Sequence, residues 1–130
     1  MNVEVLCTTD DPVDSLDHHK KLKNSFKIRV LPSFRPDNVI KTEDPSKFIS
    51  YINKLGNIAG FDINSFTSLV EALDKRHLYF NETGCRLSDH GLNRFYFAKY
   101  TITEADYAFK KLLGGLPLTQ NEDEMYKTAI

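Results

Sequence analysis

Three polar clusters interrupt the apolar runs of this 130-residue chain where side chains can do chemistry: Thr8-Thr9-Asp10-Asp11-Pro12, Pro32-Ser33-Phe34-Arg35-Pro36-Asp37 and Ser88-Asp89-His90-Gly91. Arg35 lies in a loop stiffened by prolines on both sides. Its guanidinium can grip a carboxylate with a two-pronged hydrogen bond, or it can simply organise the loop. Asp89 can exchange protons with, or orient, a sugar hydroxyl. It can equally bond backbone amides in a turn. His90 is its neighbour, and adjacent strand positions face opposite sides, so one of the two is expected to face a site. In the first cluster Asp11 is accounted for as a helix cap before Pro12, which leaves Asp10 as the carboxylate without a structural task.

Other reactive side chains have weaker patterns. His77, Cys85, Asp89 and His90 carry metal-ligating atoms, but no recognised ligand spacing occurs and no metal site is assigned to this chain. His18 and His19 fall on a polar helical stretch and are expected to face solvent. Phosphate-loop, dinucleotide and serine-nucleophile motifs are absent. The aromatic residues, mostly Phe and Tyr at helical spacing, read as core.

The elements that must hold these loops follow from the apolar periodicity. Short runs at 3–8, 28–31 and 85–88 predict three strands, each opening into one of the clusters. Asp11-Pro12 and Asp44-Pro45 predict helix starts. Behind Asp44, Phe48, Ile52, Leu55 and Ala59 form one helical face that stops at Gly60; a further helix from about Ser65 carries Phe66, Leu69, Leu73 and Phe80 and stops at Gly84. Thr103-Glu104-Ala105-Asp106 resembles a capping box, Thr119 to Glu122 is a better one, and Gly114-Gly115-Leu116-Pro117 separates the last two helices. The final helix is cut at Ala129-Ile130, so the chain is expected to be a fragment. Strand, functional loop and helix recur three times, the α/β arrangement in which ligands bind beyond the carboxyl ends of parallel strands.

Composition narrows the function classes. A hydrophobic share of 41%, a charged share of 27% and a net charge of −1 describe an ordinary globular domain. Scattered basic residues give no case for nucleic acid or an anionic membrane. The two cysteines, Cys7 and Cys85, are expected to be small buried hydrophobes in a reducing cytoplasm. No signal peptide or membrane span is visible.

The segments MNVEVLCTTDDPVDSLDHH at 1–19, VLPSFRPD at 30–37, ALDKR at 72–76, GCRLSDHG at 84–91 and the KTA near the end together resemble the uronate (glucuronate) isomerases of the amidohydrolase superfamily. The likeness covers essentially the whole chain in order. It implies a partial (β/α)8 barrel, residues 1–130 being one middle segment that lacks the first and last barrel strands. It also implies an enzyme that interconverts D-glucuronate with D-fructuronate and D-galacturonate with D-tagaturonate in hexuronate catabolism. By motif match, Arg35 resembles the family's substrate-binding arginine and Asp89 its catalytic aspartate, with His90 and Asp10 as weaker candidates.

The family's metal-binding His-x-His has no counterpart in these 130 residues. A divalent metal, zinc by expectation, therefore belongs to the full-length enzyme and no cofactor to this segment. The resemblance implies a hexuronate as the small-molecule partner, no nucleic acid or membrane, and either self-association or complementation by the missing barrel segments. The isolated chain is expected to be inactive. The alternative is a non-catalytic remnant or binding module from a truncated isomerase gene.

Overall fold

The computed structural model describes residues 2–130; Met1, the first residue of the opening motif, lies outside the described residues. Two short strands, β1 (Val5–Cys7) and β2 (Arg29–Leu31), pair in parallel, with α1 (Asp17–Leu22) between them in sequence. A 3-10 turn (Asp37–Ile40) and four helices follow: α2 (Pro45–Ala59), α3 (Phe66–Thr83), α4 (Ile102–Leu113) and α5 (Gln120–Ala129).

The third expected strand is reduced to a single parallel bridge between Phe34 and Ser88. The alternation of ladder donors explains why. Arg29 and Arg35 aim their N–H groups toward the β1 side, at the Glu4 and Asp10 carbonyls, whereas Phe34 aims its N–H at Leu87 on the other side. Pro32 belongs to the Phe34 set and has no N–H to give, so the rung before Phe34 is missing. The ladder resumes once, with Phe34 N–H to the Leu87 carbonyl at 3.2 Å and Asp89 N–H to the Phe34 carbonyl at 3.3 Å.

The main core lies among the helices and not under the strands. Phe48, Ile52, Leu55 and Ala59 of α2, Phe66, Leu69 and Ala72 of α3, Ala105, Ala108, Phe109 and Leu112 of α4 and Tyr126 of α5 form one buried cluster. The expectation of a buried first strand is corrected: Val5 and Leu6 are 45% and 51% exposed. Nothing among the described residues covers that edge of the sheet. Cys7 is exposed with it, while Cys85 is buried in a small second cluster with Leu16, Phe34 and Phe80.

Local chemistry sets the helix limits. Asp44 caps α2 by accepting from the Ser46 and Lys47 amides, and Gly60 ends it at φ 84. Gly84 ends α3 at φ 111. The Thr119 and Glu122 capping box opens α5 as expected. For α4 the box lies two residues earlier than expected, formed by Thr101 and Glu104, because a Glu at the third helical position reaches back to the cap amide better than Asp106 would. Asp106 instead accepts from the Phe66 amide at 2.9 Å. Asp11 caps no helix. Its Oδ1 accepts from Val13 N–H at 3.0 Å in a tight turn, and α1 begins only at Asp17.

Tyr126 joins the helical core to the loop that carries the candidate site, since its buried hydroxyl donates to the Val39 carbonyl at 2.9 Å. Tyr126→Phe removes the donor and leaves that carbonyl unsatisfied. The expected loss is about 1–3 kcal/mol, read as a lower urea midpoint at unchanged slope.

Candidate functional site

The parallel rungs continue past the ends of β1 and β2. Asp10 bridges Phe34 and Phe34 bridges Ser88, all in parallel, so the three polar clusters meet at the carboxyl end of the sheet. Residues 54 to 56 apart in sequence thereby come into direct contact. Asp89 Oδ1 accepts from the Ser33 hydroxyl at 2.6 Å, and Asp89 Oδ2 pairs with Arg35 Nη2. The Arg35 Nε is buried without a hydrogen-bond partner, with Asp37 Oδ2 at 3.9 Å. Asp37 also accepts from the Gly91 amide at 2.6 Å and lies 2.9 Å from His90 Nδ1. A side chain at position 91 would place its Cβ 3.3 Å from Asp37 Oδ2, so glycine permits this close approach.

Asp89 and His90 both join this network, Asp89 through Ser33 and Arg35 and His90 through Asp37, and neither lines the cleft directly. Residues 89–91 form a loop and not a strand, so alternation does not apply to them. Asp10 joins the network from the β1 side: its Oδ2 accepts from the Thr8 hydroxyl at 2.6 Å and faces the Ser33 amide at 3.4 Å. Asp11 is occupied structurally, accepting from Asn38 at 2.5 Å and from the Tyr51 hydroxyl at 2.8 Å. The whole TTDDP loop is tied to α3 by the buried Arg76, whose Nε and Nη2 donate to the Pro12 and Asp14 carbonyls at 2.6 and 2.9 Å.

A cleft of about 530 Å³ opens above these loops. Asp10 and Arg35 line it directly, while Asp89 and His90 reach it through Arg35 and Asp37. Its lining carries five carboxylates (Asp10, Asp11, Asp14, Asp37, Glu43) against three cations (Arg35, Lys41, Lys127). An anionic ligand bound here consequently needs positive charge beyond what these walls provide. Among the described residues no three His, Cys, Asp or Glu side chains converge to hold a metal ion. His77 packs its ring edge-on against Phe34, centroids 5.2 Å apart.

Ser33, Asp37 and His19 were not individually expected from the sequence. The first two stand inside the singled-out clusters, and strand-end position was their available signal. His19, expected to face solvent, is buried on α1 and contacts Thr8.

The Ser33 hydroxyl, and after it the Arg35 guanidinium, hold the Asp89 carboxyl below the usual carboxylate range. A carboxyl lowered on folding adds stability that is present above its unfolded value, near 3.8, and lost as pH falls through the lower folded value. Asp89→Asn is expected to be less stable than the parent near neutral pH, and the gap to close on acidification through that window. Urea midpoints measured across the acid range check this; a gap independent of pH would contradict it.

Residues 1–130 match the family model described as glucuronate isomerase. A uronate isomerase of Phocaeicola vulgatus is 47% identical over 130 residues, covering 99% of this chain and 28% of that protein. Among solved structures, uronate isomerase from Thermotoga maritima matches with a TM-score of 0.92 at 36% identity, over 98% of this chain and 28% of that one. Glucuronate isomerase from Caulobacter crescentus matches with a TM-score of 0.84 at 31% identity, over 98% and 26%. The chain thus spans about 28% of the length of the curated relatives named here.

Proposed function

Because the chain belongs to the glucuronate isomerase family, we propose that the protein carrying it interconverts D-glucuronate with D-fructuronate and D-galacturonate with D-tagaturonate, in the hexuronate catabolism of the cytoplasm. In this reading the chain is one middle section of a (β/α)8 barrel, and the remaining strands cover the exposed edge of β1. Among the described residues no helix is long and apolar enough to cross a membrane.

The observation that carries the reading is the convergence of Ser33, Arg35 and Asp89 at the carboxyl end of parallel rungs, the position at which α/β proteins bind ligands. Aldose-ketose isomerisation moves hydrogen between C1 and C2, and needs a proton relay and a group that polarises the carbonyl. Arg35, which lines the cleft, binds the substrate's carboxylate or hydroxyl oxygens. Asp89, held ionised, accepts a hydrogen bond from a substrate hydroxyl and orients it. Its depressed pKa makes it a better acceptor than proton abstractor. The divalent metal, zinc in this reading, is held by residues of the rest of the protein and supplies the positive charge that the cleft walls lack.

The test is conversion of D-glucuronate by the full-length protein beside Arg35→Ala and Asp89→Ala. Activity in the parent that both substitutions abolish supports the assignment, and full activity in both variants removes it.

A further inference from the structure

Resting on the isomerase reading, we propose that His19 is a positioning residue that acts through Thr8 to aim the Asp10 carboxylate into the cleft. His19 lies outside the three motif loops, yet its side chain is only 9% exposed. Its Nε2 is 2.8 Å from Thr8 Oγ1, and Thr8 Oγ1 is 2.6 Å from Asp10 Oδ2. A threonine hydroxyl has one hydrogen and an ionised carboxylate has none. The short contact to Asp10 therefore takes the Thr8 hydrogen, and His19 must donate its Nε2–H to a lone pair of the same hydroxyl. The Leu31 carbonyl, 3.4 Å from Thr8 Oγ1, competes for that hydrogen only weakly. The chain of donation runs one way, from His19 to Thr8 to Asp10.

Three further observations agree with an aimed carboxylate. Every hydrogen bond that Asp10 accepts among the described residues falls on Oδ2, from Thr8 and from the Ser33 amide, which leaves Oδ1 for a substrate hydroxyl at the cleft wall. On the other side of the ring, His19 Nδ1 is buried without a partner, so the Nε2 contact alone fixes the imidazole by hydrogen bonding. The backbone is bent to bring it there. Leu16, buried just before α1, adopts φ 55, a left-handed conformation that costs a leucine energy and sets the direction in which the helix leaves the loop.

The experiment uses the full-length protein with His19→Leu, His19→Gln and Thr8→Val, each also combined with Asp10→Ala. Glutamine places an N–H near the position of Nε2. His19→Leu and Thr8→Val are expected to lower kcat about tenfold, the value of one charge-assisted hydrogen bond, with little change in KM. His19→Gln recovers most of that loss. In the Asp10→Ala background neither substitution lowers kcat further, because the group it positions is gone. Crystal structures of His19→Leu and Thr8→Val show the Asp10 carboxylate rotated. Should His19→Leu fail to fold, Thr8→Val carries the same test. Losses that add fully to that of Asp10→Ala, or a carboxylate unmoved in the variant structures, overturn the proposal. Absence of turnover in the parent counts against the isomerase reading, and the carboxylate's position still decides the role of His19.

Discussion

Asp89→Ala in the full-length protein is expected to lower kcat for D-glucuronate by about 10²-fold, the cost of losing the geometry of a positioned substrate hydroxyl. The substitution removes the acceptor for the Ser33 hydroxyl and the partner of Arg35 Nη2 together. Arg35 is then left with Asp37 at 3.9 Å, too far to fix the guanidinium plane by a hydrogen bond. Arg35→Ala should raise KM as well as lower kcat, since it deletes a cation that lines the cleft and pairs with Asp89. Arg35→Lys should rescue little, because an ammonium cannot reproduce the forked geometry. The two residues form one unit, so the double substitution should be little worse than the worse single one. Initial rates over a range of substrate concentrations, with thermal midpoints measured alongside, check all of this.

Phe48→Ala is expected to be the most damaging single change to the fold, costing about 3–5 kcal/mol. The ring is fully buried on α2 and meets Phe109 of α4 and Tyr126 of α5 edge to face, at centroid distances of 5.9 and 6.1 Å. Its deletion leaves a cavity where three helices converge. Against a total stability of about 5–15 kcal/mol that is a large fraction. Phe95→Ala provides the contrast: the ring is 92% exposed, and its loss should change stability by no more than about 0.5 kcal/mol. Urea unfolding of the two variants beside the parent measures both. Equal midpoints would mean that the helical core is not the centre of stability.

Helices α2 and α3 were legible in the sequence because each carried a capping residue, a periodic apolar face and a glycine stop. Phe48, Ile52, Leu55 and Ala59 are all buried on one face of α2 as the spacing implied, and Gly60 and Gly84 both take the left-handed conformation that ends a helix. The strands were less legible, since strand existence depends on partners far away in sequence. Residues 85–88 have strand-like composition, but their pairing depends on whether Pro32 opposite can donate, and it cannot. The candidate site was legible where motif and loop coincided, at Arg35, Asp89, His90 and Asp10. It was illegible at His19, whose neighbours in sequence are polar and whose buried side chain meets Thr8, 11 residues earlier. Asp37 was legible only as part of a cluster, because its role requires Gly91 to lie 54 residues away in sequence yet within hydrogen-bond distance.

In the proposed reading this chain supplies one section of an isomerase barrel and, with Arg35 and Asp89, one part of its site. Its most direct test follows conversion of D-glucuronate to D-fructuronate by the purified 130-residue chain, with and without zinc, and again after the remaining barrel segments are added. No conversion by the chain alone is expected, with recovery on complementation that is lost again when the chain carries Asp89→Ala. Conversion by the chain alone would contradict it.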